Sequence, residues 1–235
     1  MTLRVLHEDN HLLAVDKPAG IASAHADDHG DAIDRIAKDY LKAKYAKPGQ
    51  VFLGIVHRLD KPTSGVLLFA RTSKAAARLS EQFRDGAVRK AYWAIVEAVE
   101  GAEPTWKTGE AELDDWLWHD DAAHRVRVVR DGSTDAKRAT TRATVLATEG
   151  SRRLLELRPA TGRKHQLRVQ LASRGWPIIG DRHYGSAESF GSAIALHARH
   201  LAFRHPTKDA EIAIEAPLPD QWRSRFGRLL NDAIG

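Results

Sequence analysis

The 235-residue chain contains no cysteine. This absence excludes thiol catalysis, zinc ribbons, iron–sulfur clusters and disulfide frameworks, because each of them needs cysteine sulfur. No apolar run approaches the roughly 20 residues of a membrane span, and the N-terminus MTLRVLHEDNHLLAVDK lacks the apolar core of a signal peptide. The sequence therefore predicts a soluble, cytoplasmic protein with no membrane partner.

The charge balance is only mildly basic. Lys and Arg number 36 against 31 Asp and Glu, which gives a formal net charge of +5. Such an excess is compatible with an anionic partner such as nucleic acid, but many basic enzymes bind none, so charge alone does not indicate one.

Strand patterns outnumber helical ones along the chain. Strands are predicted at 3–8, 11–16, 51–56, 65–71, 88–97, 125–130, 138–147, 154–158, 195–203 and 211–214. Helices are predicted from Asp31 (a possible cap), at 73–85, at 165–174 and near the C-terminus. Strict βαβ alternation is missing, which predicts an α+β fold with a mixed, mostly antiparallel sheet flanked by helices. Without repeats or long linkers, residues 1–235 are expected to form one domain, with 100–136 as a peripheral hairpin or insertion.

The sharpest chemical signal is HRLDKPTSG at 57–65, a charged loop between two apolar runs. In the simpler interpretation, Asp60 caps a turn and pairs with Arg58 or Lys61, as loop carboxylates usually do. In the other, Asp60 is a reactive carboxylate. The tetrapeptide HRLD alone does not decide between them, since short motifs recur by chance.

Taken with other segments, this loop resembles the signature of RluA-type pseudouridine synthases. The segments VDKPAG, RKAYWAIV, PATGRKHQLRVQLASRGWPIIGDRHYG and LHARHLAFRHP match that family in the same order. Several ordered matches are far less probable by chance than one. The chain departs from the pattern at Gln170 and Trp176, where histidines are more frequent, and at Ala98, which replaces a frequent glycine. The resemblance implies a pseudouridine synthase-like catalytic domain, here with no appended N-terminal RNA-binding domain.

The resemblance also implies the reaction. Uridine in structured ribosomal or transfer RNA, presented in a stem-loop, is isomerised to pseudouridine by an enzyme expected to be a monomer. The ribose–nitrogen bond breaks, the base turns and a ribose–carbon bond forms, without oxidation, so neither cofactor nor metal is expected. One carboxylate must act as nucleophile or base, and the resemblance assigns this to Asp60. Attack on the base, attack on the sugar and abstraction of a ribose proton all stay open.

Three further residues receive roles from the resemblance, each with a simpler alternative. Arg163 would pair with the catalytic aspartate and keep it ionised, or else contact phosphate. Tyr92 would stack on the target base, although tyrosine on an alternating strand is more often a core residue. Leu167 would cover the other ring face, or simply pack in the core beside Leu171.

The remaining predicted site residues contact the RNA. Arg58 would fill the space that the uridine leaves when it is flipped from its stack, or would be a solvated ion-pair partner. His57, Lys90, Thr161 and His165 complete the predicted substrate-binding set.

Two rival functions are weaker. Twelve histidines suggest a metal-dependent nuclease, especially His197 with His200 and the pair His119 and His124, yet no HExxH or comparable spacing occurs. A catalytically inactive RNA-binding protein would need no intact set of Asp60, Arg163 and Tyr92, and all three are present.

Overall fold

The fold is given by a computed structural model that describes residues 2–25, 32–99, 106, 108–131 and 133–234. The strands are β1 (Val5–Glu8), β2 (Leu12–Lys17), β3 (Gly54–Ile55), β4 (Ser64–Ala70), β5 (Arg89–Glu97), β6 (Glu110–Asp120), β7 (Arg125–Val129), β8 (Lys137–Glu149), β9 (Arg152–Pro159), β10 (Leu196–Arg204) and β11 (Glu211–Glu215). The helices are α1 (Ile33–Lys44), α2 (Ser73–Arg84), α3 (Gln166–Ala172) and α4 (Asp220–Ile234). Contacts group the chain into a first unit, Met1–Lys90 with Ala198–Leu218, and a second unit, Ala91–His197 with Pro219–Gly235.

The first unit is built on the order β1-β2-β4-β10. β2 pairs antiparallel with β1 and with β4, β3 pairs antiparallel with β4, and β11 with β10. Apolar side chains of the sheet and of α2 form one core: Leu12, Val66, Leu68, Leu79, Val88, Leu201, Phe203 and Ile214. Each buried side chain of this size stabilises the fold by about 1.5–3 kcal/mol, so this core fixes β4, the strand that follows the 57–65 loop.

Most sequence predictions for this unit are confirmed. β1, β2, α1, α2 and β4 lie where the patterns placed them, and α2 ends before Gly86, which has a φ of 71°. The predicted strand at 51–56 is wrong except for Gly54–Ile55. Phe52 is 51 % exposed, so apolar character alone did not indicate burial there. The proposed cap Asp31 lies outside the described residues.

The second unit has the strand order β5-β9-β8-β6-β7, with every neighbouring pair antiparallel. A bulge between Val145 and Ala147 interrupts the β8–β9 register. Buried residues of the β6–β8 region pack with α3 and with Tyr184 in one cluster: Leu117, Val126, Ala139 and Val169. The terminal helix α4 is kinked at Phe226, whose φ of −127° is not helical. Mostly antiparallel strand pairing with flanking helices confirms the α+β class.

The segment predicted as a hairpin or insertion contains a strand that the sequence did not indicate. β6 forms a hairpin with β7 and also pairs with β8 from Glu110 to Leu117. Only Leu113 and Leu117 of β6 are buried, so its sequence shows no regular alternation of apolar and polar residues that would predict a strand. Within the described residues, no helix is long and apolar enough to cross a membrane. The single-domain organisation stays a prediction.

Candidate active site

In the first unit, the HRLDKPTSG loop is held at both ends. The turn closes where Thr63 N–H donates to the carbonyl of Asp60 at 3.0 Å. At its end, Gly65 adopts a φ of 115°, and a Cβ there would lie 2.3 Å from the carbonyl oxygen of Ala198. Only glycine fits this backbone conformation and this close approach. The loop that carries the candidate carboxylate is therefore a fixed element.

His57 is engaged within the protein. Its ring stacks on Phe83 with 4.7 Å between centroids, and its Nε2 accepts a hydrogen bond from Leu68 N–H at 2.9 Å. Burial, helped by the nearby charge of Lys90, lowers the pKa of His57 to about 3. A neutral ring is required for Nε2 to accept. His57 therefore anchors the loop to β4, while its contact with substrate stays a prediction.

Asp60 is half-buried, next to a buried lysine. Lys17 is 0 % exposed, and its Nζ donates to the carbonyls of Pro18 at 2.9 Å, Ile21 at 2.8 Å and Lys61 at 3.3 Å. Burial lowers the pKa of Lys17 to about 8, and attraction to the Asp60 carboxylate opposes that fall. A cation beside a carboxylate stabilises its negative charge. This arrangement places a positive charge beside the candidate carboxylate.

Two other predicted residues of the first unit differ in exposure. Arg58 is exposed, so its guanidinium can be reached by a macromolecule. Lys90, near the start of β5, is half-buried, and this burial lowers its pKa. The first unit thus brings His57, Arg58 and Asp60 together on one loop.

In the second unit, Tyr92 lies on β5 opposite Leu157 of β9. Its side chain is half-buried, whereas Ala94 and Val96, which follow it at alternate positions, are fully buried. A tyrosine used only for packing would be expected to share their burial. Partial access is compatible with stacking on a base, which stays a prediction.

The loop before α3 is organised by the side chain of Gln166. Its Oε1 accepts from Thr161 Oγ1 at 2.8 Å and from Arg163 N–H at 3.0 Å, and its Nε2 donates to the carbonyl of Thr140 at 3.1 Å. The exposed Arg163 side chain donates from Nε to the carbonyl of Arg138 at 3.2 Å. These bonds fix the loop against β8, and the hydroxyl of Thr161 serves this internal network.

His165 and Leu167 flank the start of α3. His165 has a left-handed φ of 52° at the N-cap, and its Nδ1 is hydrogen-bonded to the hydroxyl of Tyr184 at 2.9 Å. Leu167 is 7 % exposed, so most of its surface packs within the protein. Loop and helix thus bring Thr161, Arg163, His165 and Leu167 together within the second unit, and their contacts with RNA stay predictions.

Sequence reasoning assigned no role to several residues that build these loops. Lys17 lies within VDKPAG, and Gln166 and Tyr184 lie within PATGRKHQLRVQLASRGWPIIGDRHYG, but no pattern there marks them individually. Ser23 lies outside every matching segment. Their signal was weak, because they act by bonding to backbone or side-chain atoms distant in sequence.

Two of the three departures from the family pattern are built into the interior of the second unit. Gln170 is 0 % exposed, and its Nε2 donates to the carbonyls of Leu113 and Ala139, both at 3.0 Å. Trp176 is 2 % exposed and donates to the carbonyl of Trp106 at 2.7 Å. Burial and hydrogen bonding to backbone carbonyls therefore account for glutamine at position 170 and tryptophan at position 176.

Two of the histidines that suggested a metal site, His197 and His119, each lie beside a side chain that is not a metal ligand. His197 is fully buried, with its ring 6.0 Å from that of Trp222. His119 has its Nε2 2.7 Å from Lys164 Nζ. Across the described ranges, no three His, Asp or Glu side chains are grouped so that they could hold a metal ion.

Comparison with known proteins agrees with the resemblance of these loops. Residues 11–173 match the family model described as RNA pseudouridylate synthase. An uncharacterized RNA pseudouridine synthase of Zymomonas mobilis is 40 % identical over 218 residues, covering 92 % of this chain and 94 % of that protein. The tRNA pseudouridine synthase C of Haemophilus ducreyi is 34 % identical, covering 97 % and 96 % of the two chains. The ribosomal large subunit pseudouridine synthase D of Zymomonas mobilis is 32 % identical, covering 97 % and 73 %.

A solved structure extends the agreement to the fold. The human RNA pseudouridylate synthase domain containing 4 superposes with a TM-score of 0.75 at 29 % identity, covering 97 % of this chain and 93 % of that one. The chain therefore belongs to the RNA pseudouridylate synthase family, as an RluA-type enzyme that converts uridine to pseudouridine.

Proposed function

We propose that this enzyme modifies uridine in structured ribosomal or transfer RNA, with Asp60 as its catalytic carboxylate. The observation that carries the proposal is the setting of Asp60. It is half-buried on a fixed turn, and the buried ammonium of Lys17 attracts its charge. The choice of RNA is supported by relatives named for the ribosomal large subunit and for tRNA.

The reaction explains why one ionised carboxylate is enough. The bond from ribose C1′ to uracil N1 breaks, a bond from C1′ to C5 forms, C5 loses a proton and N1 gains one. There is no net oxidation or reduction. Asp60 serves either as the nucleophile that holds an intermediate or as the base that removes a proton, and both roles need the charged form.

Residues of the second unit are assigned by the resemblance. Arg163 is the cation that acts with Asp60, and Tyr92 stacks on the target base. Support comes from the exposure of Arg163, whose guanidinium is oriented by the Arg138 carbonyl, and from the partial exposure of Tyr92. Arginine is suited to such pairing because it stays charged and presents a planar set of donors.

Substrate binding is assigned to a larger set. Arg58 is exposed and fills the space of the flipped uridine, since a planar guanidinium can stack and donate there. The other members of the set are His57, Lys90, Thr161, His165 and Leu167. Of these, His57, Thr161 and His165 also hold the loops by internal hydrogen bonds, so their substitution is expected to disturb loop geometry as well as binding.

The test of Asp60 is the Asp60→Asn variant, assayed for isomerisation of a stem-loop RNA in EDTA. Asparagine keeps the size and much of the hydrogen bonding but removes charge and nucleophilicity. We expect turnover to fall by at least about 100-fold while RNA affinity stays near wild type. Asp85→Asn, at an exposed carboxylate after α2, is the matched control and should keep full turnover. A folded Asp60→Asn protein with an undiminished rate would refute the assignment.

A further inference from the structure

The hydroxyl of Ser23 binds the peptide groups of the residue directly before Asp60. Ser23 is 4 % exposed, its Oγ donates to the carbonyl of Leu59 at 2.7 Å, and the same oxygen accepts from Leu59 N–H at 2.9 Å. One small side chain therefore satisfies both backbone polar groups of Leu59. Left unpaired in this buried place, each group would be costly.

The residue after Asp60 is held by the same segment of chain. The carbonyl of Lys61 accepts from Gly20 N–H at 2.8 Å and from Lys17 Nζ at 3.3 Å. The backbone carbonyls of both residues that neighbour Asp60, Leu59 and Lys61, are thus hydrogen-bonded to residues 17–23. The carboxylate is positioned by its neighbours on either side.

The segment is itself anchored at the start of α1. Ala22 forms a β-bridge with Ala32, and its carbonyl accepts from Ile33 N–H at 3.0 Å. The position of Ser23 is therefore set by a helix end that belongs to the same unit. Through Ser23, this anchor reaches the Asp60 turn.

On the basis of the proposed function of Asp60, we propose that Ser23 is a positioning residue for pseudouridine formation. Its two hydrogen bonds fix the peptide groups on both sides of the Leu59 Cα, and hence the direction in which the Asp60 carboxylate points. Ser23 does not touch the RNA in this role. Removing the hydroxyl frees the peptide to tilt, and a displacement of about 1 Å at a reacting group can reduce the rate on the order of 100-fold.

The experiment compares Ser23→Ala with the wild type and with Thr72→Ala. Thr72 is the control because its hydroxyl also binds a backbone N–H of the first unit, that of Ala75 at 3.2 Å, but at the cap of α2. For Ser23→Ala we expect kcat to fall roughly 10–100-fold with KM and the Kd for RNA within about two-fold of wild type. Thr72→Ala should keep the kcat of the wild type, while its melting temperature should fall by about as much as that of Ser23→Ala. Ser23→Thr, which retains the hydroxyl, should recover most of kcat.

Contrary outcomes are distinguishable. If Asp60→Asn is inactive but Ser23→Ala keeps full kcat, the role of Ser23 is overturned and that of Asp60 stands. A loss of RNA affinity without a loss of kcat, or an equal fall of kcat in Thr72→Ala, also overturns it. If Asp60→Asn is active, both proposals fall together. If Ser23→Ala does not fold, Ser23→Cys decides, because a thiol fills similar space with weaker hydrogen bonds. Reduced kcat in that folded variant supports the role, and undiminished kcat overturns it.

Discussion

The ring of His57, which is stacked on Phe83, makes the stability of the protein depend on pH. Its pKa falls from the ordinary value of 6.5 to about 3 in the folded chain. At pH values between these two, His57 binds a proton in the unfolded chain but stays neutral in the folded chain. Stability from His57 is complete well above pH 6.5 and is lost progressively as the pH falls towards 3.

The size of the effect follows from linkage. Between pH 7 and pH 5, protonation of the unfolded chain at His57 lowers the free energy of unfolding by about 2 kcal/mol. This value depends little on the folded pKa, because the folded ring stays neutral at pH 5 whether that pKa is 3 or somewhat higher. Glu8 and Asp9, whose pKa values are about 2 in the folded chain, contribute mainly below this range.

The assay is urea denaturation at pH 7 and pH 5, for the wild type and for His57→Gln. Glutamine does not titrate, and its amide oxygen can still accept from Leu68 N–H. The variant loses the stacking on Phe83 at every pH, so the informative quantity is the change between the two pH values. We expect the wild type to lose about 2 kcal/mol more than the variant over this interval. Parallel losses in the two proteins would refute the linkage to His57.

Two further predictions concern rigid contacts. Gly65→Ala should destabilise the protein by about 3 kcal/mol or more in urea denaturation, because it combines a φ of 115° with a clash against Ala198. The control, Gly49→Ala, has open space around it and should change the stability little. Equal effects of the two substitutions would contradict the close approach of Gly65 to Ala198. Arg168→Ala should cost about 3–5 kcal/mol in the same assay, because it leaves the buried carboxylate of Asp181 without the guanidinium that binds it at 2.7 and 2.9 Å. A second substitution, Asp181→Ala, should return part of that loss, and strictly additive losses would argue against a coupled pair.

Sequence patterns predicted most of the scaffold because its signals are local. The apolar residues at 11–16 form a strand that is buried on both faces, and the helical spacing after Ile33 reflects burial of one face; each segment encodes its own pattern. Apolar character failed at Phe52, where burial depends on what the rest of the chain supplies. β6 was missed for the converse reason, since it is held by pairing along β8 rather than by its own pattern.

The candidate site was predictable to different degrees. The motif at 57–65 made Asp60 a candidate, because its charged and turn-forming residues stand between apolar runs, but the predicted catalytic role came only from the resemblance of several ordered segments. The supports of that residue were not predictable. Ser23 acts on backbone atoms of Leu59, and any residue type offers those atoms, so the pairing leaves no mark at position 59. Gln166 likewise bonds to a backbone carbonyl of Thr140, which a sequence cannot reveal.

The close approach of Gly65 to Ala198 also bears on how the protein matures during synthesis. The Asp60 turn is made early on the ribosome, but Ala198, against which Gly65 packs, follows only after residues 91–197 of the second unit have been translated. Contacts so distant in sequence form late, because the entropy cost of closing a long loop comes before the contacts can stabilise the structure. Nascent chains that end before β10 should therefore leave the turn incompletely fixed, and modifying activity should begin only when synthesis is nearly complete.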